Sequence, residues 1–306
     1  MVHTYSYNDL VWIDLESPTQ TEISDIIKKY DLHTTIGDEL ATPSSEPRVE
    51  LFKNCVYVSL DIPSRTKEGS KGLISKKEID FVVGKDFIIT TRYSTIEPLH
   101  AFSKVFETNS IIDKKGIGEH AGFVFYYMMK KLYTHAYRDL KNLRDDLSHA
   151  ERRIFEGQEK RMVLVLSNIG REVIDVQQIF RTHDEVLELV GLAMEKFFSP
   201  NFRYHTDDIV AEYKKVSSTA ENLYELVREL RETNDSLLST KQNETMKMLT
   251  LMAFITFPLS LFTDIFSMPT SRTPIIGMPF DFEIIFGAMI IGAFGMIAFF
   301  RYRKWI

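Results

Sequence analysis

Asn243-Glu244-Thr245-Met246-Lys247-Met248-Leu249-Thr250, running on through Leu251-Met252-Ala253-Phe254-Ile255-Thr256-Phe257-Pro258-Leu259-Ser260-Leu261-Phe262-Thr263, is the stretch whose reading decides the fold. A polar connection follows. Then comes Ile284 to Phe300 without a single charge, and the sequence closes on Arg301-Tyr302-Arg303-Lys304-Trp305-Ile306. The hydrocarbon layer of a bilayer takes about 17–25 helical residues per crossing. Residues 248–268 and 282–300 both meet that length. A soluble domain buries one such segment as a core helix; two in succession, ending in basic and aromatic residues, read as a transmembrane hairpin.

Charge sets the expected orientation. Lys241 and Lys247 precede the first apolar segment, and Arg301, Arg303 and Lys304 follow the second. The connection 269–281 holds Arg272 as its one Lys or Arg. Positive residues stay on the cytoplasmic side, so both termini are expected inside and the loop outside, with Tyr302 and Trp305 at the interface. Met1-Val2-His3-Thr4-Tyr5 lacks a basic stretch followed by an apolar run, so no signal peptide is expected. The location read from this is the cytoplasmic (inner) membrane.

Upstream, the composition is that of a globular protein. Of 306 residues, 26% are charged and 44% apolar, with a net charge of −6. That balance argues against nucleic acid as a partner and favours cations near the surface. One cysteine, Cys55, excludes an intrachain disulfide framework and fits a reducing compartment. Its strand-like setting, Leu51 to Val58, predicts a buried structural thiol. No nucleophile, cofactor loop or metal-hydrolase motif points to an enzyme, and no cofactor is expected.

Residues 9–15 read as a buried strand. A helix follows, with Ser17 as N-cap, Pro18 in the first turn and Gln20 completing a capping box; it runs to about Tyr30, and a shorter helix covers 34–41. Strand signals recur at 48–52, 55–62, 76–83 and 86–92, an antiparallel meander in which the polar Ser64–Lys71 segment is expected to be a mobile loop. A helix over 95–107 closes an α/β domain. Helix is then expected over 118–155 and 159–197. The third helical run has a series at alternating spacings of 4 and 3, apolar but for one asparagine: Ile209, Tyr213, Val216, Ala220, Leu223, Val227, Leu230, Asn234 and Leu237. This is a heptad seam, for an intrachain bundle or for copies of the chain around an axis. No stop signal separates it from Met246, so one helix is predicted from about 203 to 266, roughly 90 Å at ~1.5 Å per residue.

Val11-Trp12-Ile13-Asp14-Leu15 before Pro18, the strand-rich first domain, the helix entering the apolar segment through Asn243 to Thr250, Phe257-Pro258-Leu259-Ser260 and the basic Arg-Tyr-Arg-Lys-Trp end together resemble the CorA family of divalent-cation channels. The resemblance covers essentially the whole chain. It implies an α+β cytoplasmic domain (1–113), a helical hairpin (114–202), a stalk helix continuing into the first span (203–268), an outer loop (269–281), a second span (282–300) and a basic tail (301–306). It also implies a homopentamer with the first spans around one pore. The function implied is passage of Mg2+, with Co2+, Ni2+ or Zn2+ as alternatives. The reading from another class is a non-conducting, membrane-anchored scaffold or sensor.

The pore-lining set carried over by position is Asn243, Met246, Leu249, Ala253, Phe257, Ser260 and Asp264; spacings of 3 and 4 keep these on one helical face. The family's Gly-Met-Asn mouth falls on Ser267-Met268-Pro269, where only the methionine matches and the asparagine amide is missing. Asp264 replaces the usual glycine. In a pentamer it makes a ring of carboxylates, and acidic rings favour cations; otherwise it ends the helix or pairs with Arg272. Met246, Leu249 and Phe257 are the expected apolar constriction. A regulatory cation, bound in the family between subunits, would fall on Asp207 and Asp208, with Asp61 or Glu68 as candidates on the strand domain. The eight histidines form no dense metal-spaced cluster. His183 beside Asp184, and His205 beside Asp207, are read either as metal-touching groups or as solvated polar faces.

Overall fold

Alternation along the strands builds a two-faced sheet. In β2 (Leu10–Glu16) Val11, Ile13 and Leu15 point one way and Trp12 and Asp14 the other, because successive side chains leave opposite faces of a strand. The structure is a computed structural model and describes residues 1–7, 9–44, 46–68, 71–107, 120–268, 275–303 and 305, without the side chains at 67, 68, 71, 105 and 107. With β1 (Val2–Tyr7), β3 (Arg48–Leu51), β4 (Val56–Glu68), β5 (Lys71–Val83) and β6 (Phe87–Arg92), β2 forms a six-stranded sheet in the order β1-β2-β6-β5-β4-β3. The β2–β6 pair is parallel and the other neighbours are antiparallel.

One face packs under α1 (Gln20–Lys29) and α2 (Thr34–Glu39), where Ile13, Leu15, Tyr57, Val82 and Ile89 meet Ile23, Ile26 and Ile36. Cys55 sits in that cluster, and burial pushes its thiol up to about 12, as expected of a structural cysteine. The other face meets α3 (Glu97–Glu107) and α4 (Ala121–Phe155). There Trp12 lies 5.7 Å from the rings of both Phe102 and Phe106, and Phe81 lies 5.2 Å from Phe125. Buried polar groups on this face are paired: Trp12 Nε1 donates to Thr90, Thr90 donates to Asp14, and Arg92 forks onto Asp14.

Four local readings need correction. The capping box is Thr19 with Glu22, two residues beyond Ser17, which takes a left-handed φ of 45°. Val2–Tyr7 is an edge strand, too polar and exposed to show a burial pattern in sequence. Residues 64–68 and 71 extend β4 and β5 rather than forming a loop. The extension is held by Arg65, whose guanidinium donates at 2.8 Å to both Asp146 of α4 and Glu172. Finally, 159–197 is two helices, α5 (Glu159–Phe180) and α6 (His183–Phe197). His183 is fully buried, with Nδ1 2.8 Å from the Tyr133 hydroxyl and Nε2 2.7 Å from the Asp61 carbonyl. Drawing that ring inward breaks the helix at Arg181–Thr182, and no glycine or proline announces it. The region expected as a hairpin therefore holds three helices, its residues 114–119 lying outside those described.

After a 3-10 turn at Pro200–Phe202, α7 runs unbroken from Arg203 to Ser267, and α8 covers Asp281–Tyr302. The heptad seam of α7 is buried inside the chain: Ile209, Val216, Ala220, Leu223, Val227 and Asn234 are 2% exposed or less. The first 234 residues already cover it, so this seam is an intrachain one. Contacts divide the chain into Met1–Asn234 and Asp235–Ile306.

Candidate functional site

The second unit is built from the apolar part of α7 and from α8. Leu251 is buried, and Ile255, Leu259, Phe262 and Phe266 are half-buried. Their side of α7 meets α8 antiparallel. Phe254 lies 6.4 Å from Phe300, a Cβ on Gly292 would lie 3.8 Å from Leu259, and Thr263 lies 3.6 Å from the Met289 sulfur. Now shift each member back by two residues: Leu249, Ala253, Phe257, Ser260 and Asp264. Two residues are about 200° around a helix, so this second series occupies the face opposite α8. All but the half-buried Ala253 are exposed, Phe257 at 73%. Asn243 and Met246 are exposed as well. The residues read as pore-lining thus share the side of α7 that α8 leaves open.

Asp264 makes no side-chain hydrogen bond or ion pair among the described residues. Ser267 spends its hydroxyl on the carbonyls of Thr263 and Asp264 as the helix ends, and Met268 is exposed. Pro269 and Arg272, its alternative partner, lie outside the described residues, as do Lys304 and the Glu68 side chain. Both helices are long and apolar enough to cross a bilayer. Their large apolar side chains point outward, among them Met252, Leu261, Ile265, Phe286, Ile291 and Phe294. Neither helix is covered like a soluble core.

The acids read as regulatory lie at the start of α7, in the first unit. Asp208 accepts from Lys130 at 2.7 Å and from the Tyr126 hydroxyl in a short contact. Those two hydrogen bonds hold its carboxyl below the usual carboxylate range. Asp207 pairs with Arg203 at 3.1 Å. Asp61 is buried and takes Lys76 at 2.9 Å. Among the described residues no three His, Cys, Asp or Glu side chains gather to hold a metal. Each of these carboxylates is already neutralised within the chain, and the set does not fit a cation unaided. Lys130, the partner sequence reasoning missed, comes from another helix, 78 residues away. His183 is neither a ligand nor a solvated group. The His205 ring packs 5.0 Å from those of Phe123 and Tyr126, and desolvation lowers its pKa.

The family model described as CorA-like Mg2+ transporter protein matches residues 7–303. The chain belongs to the CorA family. Among curated relatives, the cobalt/magnesium transport protein CorA of Thermotoga maritima is 22% identical over 303 residues, covering 96% of this chain and 83% of the relative. The corresponding protein of Methanocaldococcus jannaschii is 20% identical, covering 97% and 92%. The complete structure of that archaeal CorA magnesium transporter superposes with a TM-score of 0.82 at 19% identity, over 98% of this chain and 93% of that one. Full-length CmaX superposes with a TM-score of 0.71 at 14% identity, over 97% and 88%. The CorA fold therefore extends across the whole chain, its mixed sheet, long helix and two C-terminal apolar helices included.

Proposed function

We propose that this protein conducts divalent cations, Mg2+ foremost, across the cytoplasmic membrane. The assembly is a homopentamer in which the α7 spans surround an axial path and the α8 spans form the outer ring. Both termini are cytoplasmic. One observation carries the reading: the α7 face away from α8 bears Ser260 and an exposed Asp264 that has no side-chain partner among the described residues. A carboxylate inside a span is costly against hydrocarbon and finds water or a partner. Copies gathered around a wet axis give Asp264 both. The curated relatives' names, which join cobalt with magnesium, support a divalent cargo.

Magnesium gives up its water reluctantly. The carboxylates of Asp264, the hydroxyls of Ser260 and the amides of Asn243 suit an ion that keeps part of its hydration shell. Between them Met246, Leu249 and Phe257 form apolar rings, where dewetting closes the path. The mouth lacks the asparagine amide of Gly-Met-Asn, and Asp264 becomes the polar ring nearest the outer end of α7. A regulatory cation at Asp207 and Asp208 would have to displace Lys130 and Arg203, and no gating step is drawn through it.

Purified protein in liposomes with a magnesium-sensitive dye tests the reading. A Mg2+ gradient is expected to drive uptake, and a parallel series with Co2+, Ni2+ and Zn2+ ranks the cargo. Silence for all four ions, in vesicles shown to contain the inserted oligomer, favours the scaffold alternative.

A further inference from the structure

The turn between α4 and α5 carries a surface that the conduction path does not use. Phe155, the last residue of α4, is 66% exposed, and Leu164, in the second turn of α5, is 71% exposed; Val163 beside it is exposed too. Around them stand Arg152, Arg153, Lys160 and Arg161, all exposed. None of these four forms an ion pair among the described residues; Arg152 reaches only the His149 ring, at 2.8 Å. The exposed acids in the same stretch are Glu151 and Glu156, since Glu159 is buried. Here a chain of net charge −6 presents a local excess of positive charge around bare apolar side chains. Isolated exposed apolar residues are ordinary on protein surfaces. A bulky apolar pair ringed by unpaired Arg and Lys matches the chemistry of a surface that settles into the headgroup layer of an anionic bilayer.

The place of this turn in the first unit points the same way. Arg231 of α7 donates to the Leu166 carbonyl, whereas Tyr213 donates to the Phe180 carbonyl, so α5 runs antiparallel to α7. The start of α5 and the turn before it therefore lie at the end of the first unit where α7 reaches Asn234. It is from there that the sequence proceeds to its apolar segments. The buried side of the turn is already filled by Ile154, Met162 and Leu166, whereas Phe155 and Leu164 stay mostly exposed among the described residues.

We infer that the α4–α5 turn is a membrane-docking element: Phe155 and Leu164 enter the interface of an anionic leaflet while Arg152, Arg153, Lys160 and Arg161 engage lipid phosphates. The inference rests on the reading of α7 and α8 as membrane spans. The competing occupant of the same surface is a second copy of this chain.

The test uses the full chain in nanodiscs, with a fluorophore on Glu156→Cys and, separately, on Ile291→Cys; the native Cys55 is buried and left in place. Spin-labelled lipid is the quencher, in discs of phosphatidylcholine alone or with a third of phosphatidylserine. The expected result is quenching at 156 at least twofold stronger in the anionic discs, reduced by 0.5 M salt and by the fourfold Arg/Lys→Gln variant. Phe155→Ser with Leu164→Ser is expected to reduce it as well. Exposed positions are substituted throughout, so folding is not at stake. Quenching at 291 without quenching at 156 overturns the inference alone, and absence at both positions overturns the membrane-span reading itself. A lipid-independent blue shift at 156 that vanishes on dissociating the oligomer assigns the surface to a second copy and overturns the inference too.

Discussion

Asp80 lies toward the C-terminal end of β5, fully buried, with one carboxylate oxygen accepting from the Tyr57 hydroxyl at 3.0 Å. Desolvation, reinforced by Glu78, raises its pKa from 3.8 to about 7. Between those values the folded state binds more protons than the unfolded one, so this group makes stability fall as pH rises from about 4 to 7 and adds no further slope above. His183 works in the opposite sense. Burial lowers it from 6.5 to about 4, the unfolded state binds more protons in between, and its contribution is lost as pH falls through that window. The two slopes oppose each other below pH 6.5. Thermal unfolding of Asp80→Asn against the parent is the check: the variant's relative stability is expected to climb from pH 4 to 7 by a few kcal/mol, at about 1.4 kcal/mol per pKa unit, and then stay level. A pH-independent difference would show that Asp80 does not titrate there. At the other end of the chain, Asp264→Asn is expected to lower Mg2+ flux or shift the ranking among Mg2+, Co2+ and Ni2+, with oligomer size unchanged. Unaltered flux and ranking would remove Asp264 from the path.

The long β4–β5 hairpin is an element whose length depends on one latch. Arg65 and Glu172 are 6% and 5% exposed, and Asp146 completes the trio. Removing one member of a buried pair strands the other charge and typically costs 3–5 kcal/mol. Arg65→Ala is therefore expected to destabilise the protein by about that much and to speed hydrogen exchange at 64–66 and 73–75 ahead of the rest of the sheet; uniform exchange would contradict the latch. In the second unit Gly292 faces α7, where a Cβ would sit at ordinary contact distance, 3.8 Å, from Leu259 and a bulky side chain would overlap it. Gly292→Phe is expected to push the helices apart and lower the unfolding temperature in detergent by several degrees, whereas Gly287→Ala, in open space, is expected to leave it unchanged. Pro258 leaves α7 unbroken although it supplies no amide donor. Such a defect is tolerated in a span, where neighbouring helices and hydroxyls re-satisfy the freed carbonyl.

For the molecule as a whole, the buried seam of α7 means that copies of the chain meet through surfaces other than Ile209 to Asn234. Assembly is then expected to depend on the open face of the α7 span. Phe257→Lys, at a position 73% exposed, should shift the mass in detergent from that of the proposed pentamer toward smaller species while the first unit keeps its thermal transition. A pentamer that survives this change would place Phe257 toward lipid, and the axial path would need another lining.

Periodicity and charge determined much of this protein from sequence: two apolar segments of spanning length, the helix across Arg203–Ser267, and the strands of the first domain apart from Val2–Tyr7 are local patterns, legible residue by residue. Membership of the CorA family was legible as a resemblance, carried by Val11–Leu15 before Pro18, Asn243–Thr250, Phe257–Ser260 and the basic end. The series read as pore-lining was visible in the sequence only as a spacing; that it lies opposite α8 depended on where Leu259 meets Gly292 and Thr263 meets Met289. Only tertiary structure decided that Ser64–Glu68 continues a strand, that His183 breaks a helix to bond Tyr133 and Asp61, and that Asp208 is already held by Lys130. Each of those outcomes is set by a partner roughly 50 to 120 residues away. A local pattern records propensity and the face a residue presents; which distant group neutralises or buries it depends on packing, and no stretch of chain carries that information alone.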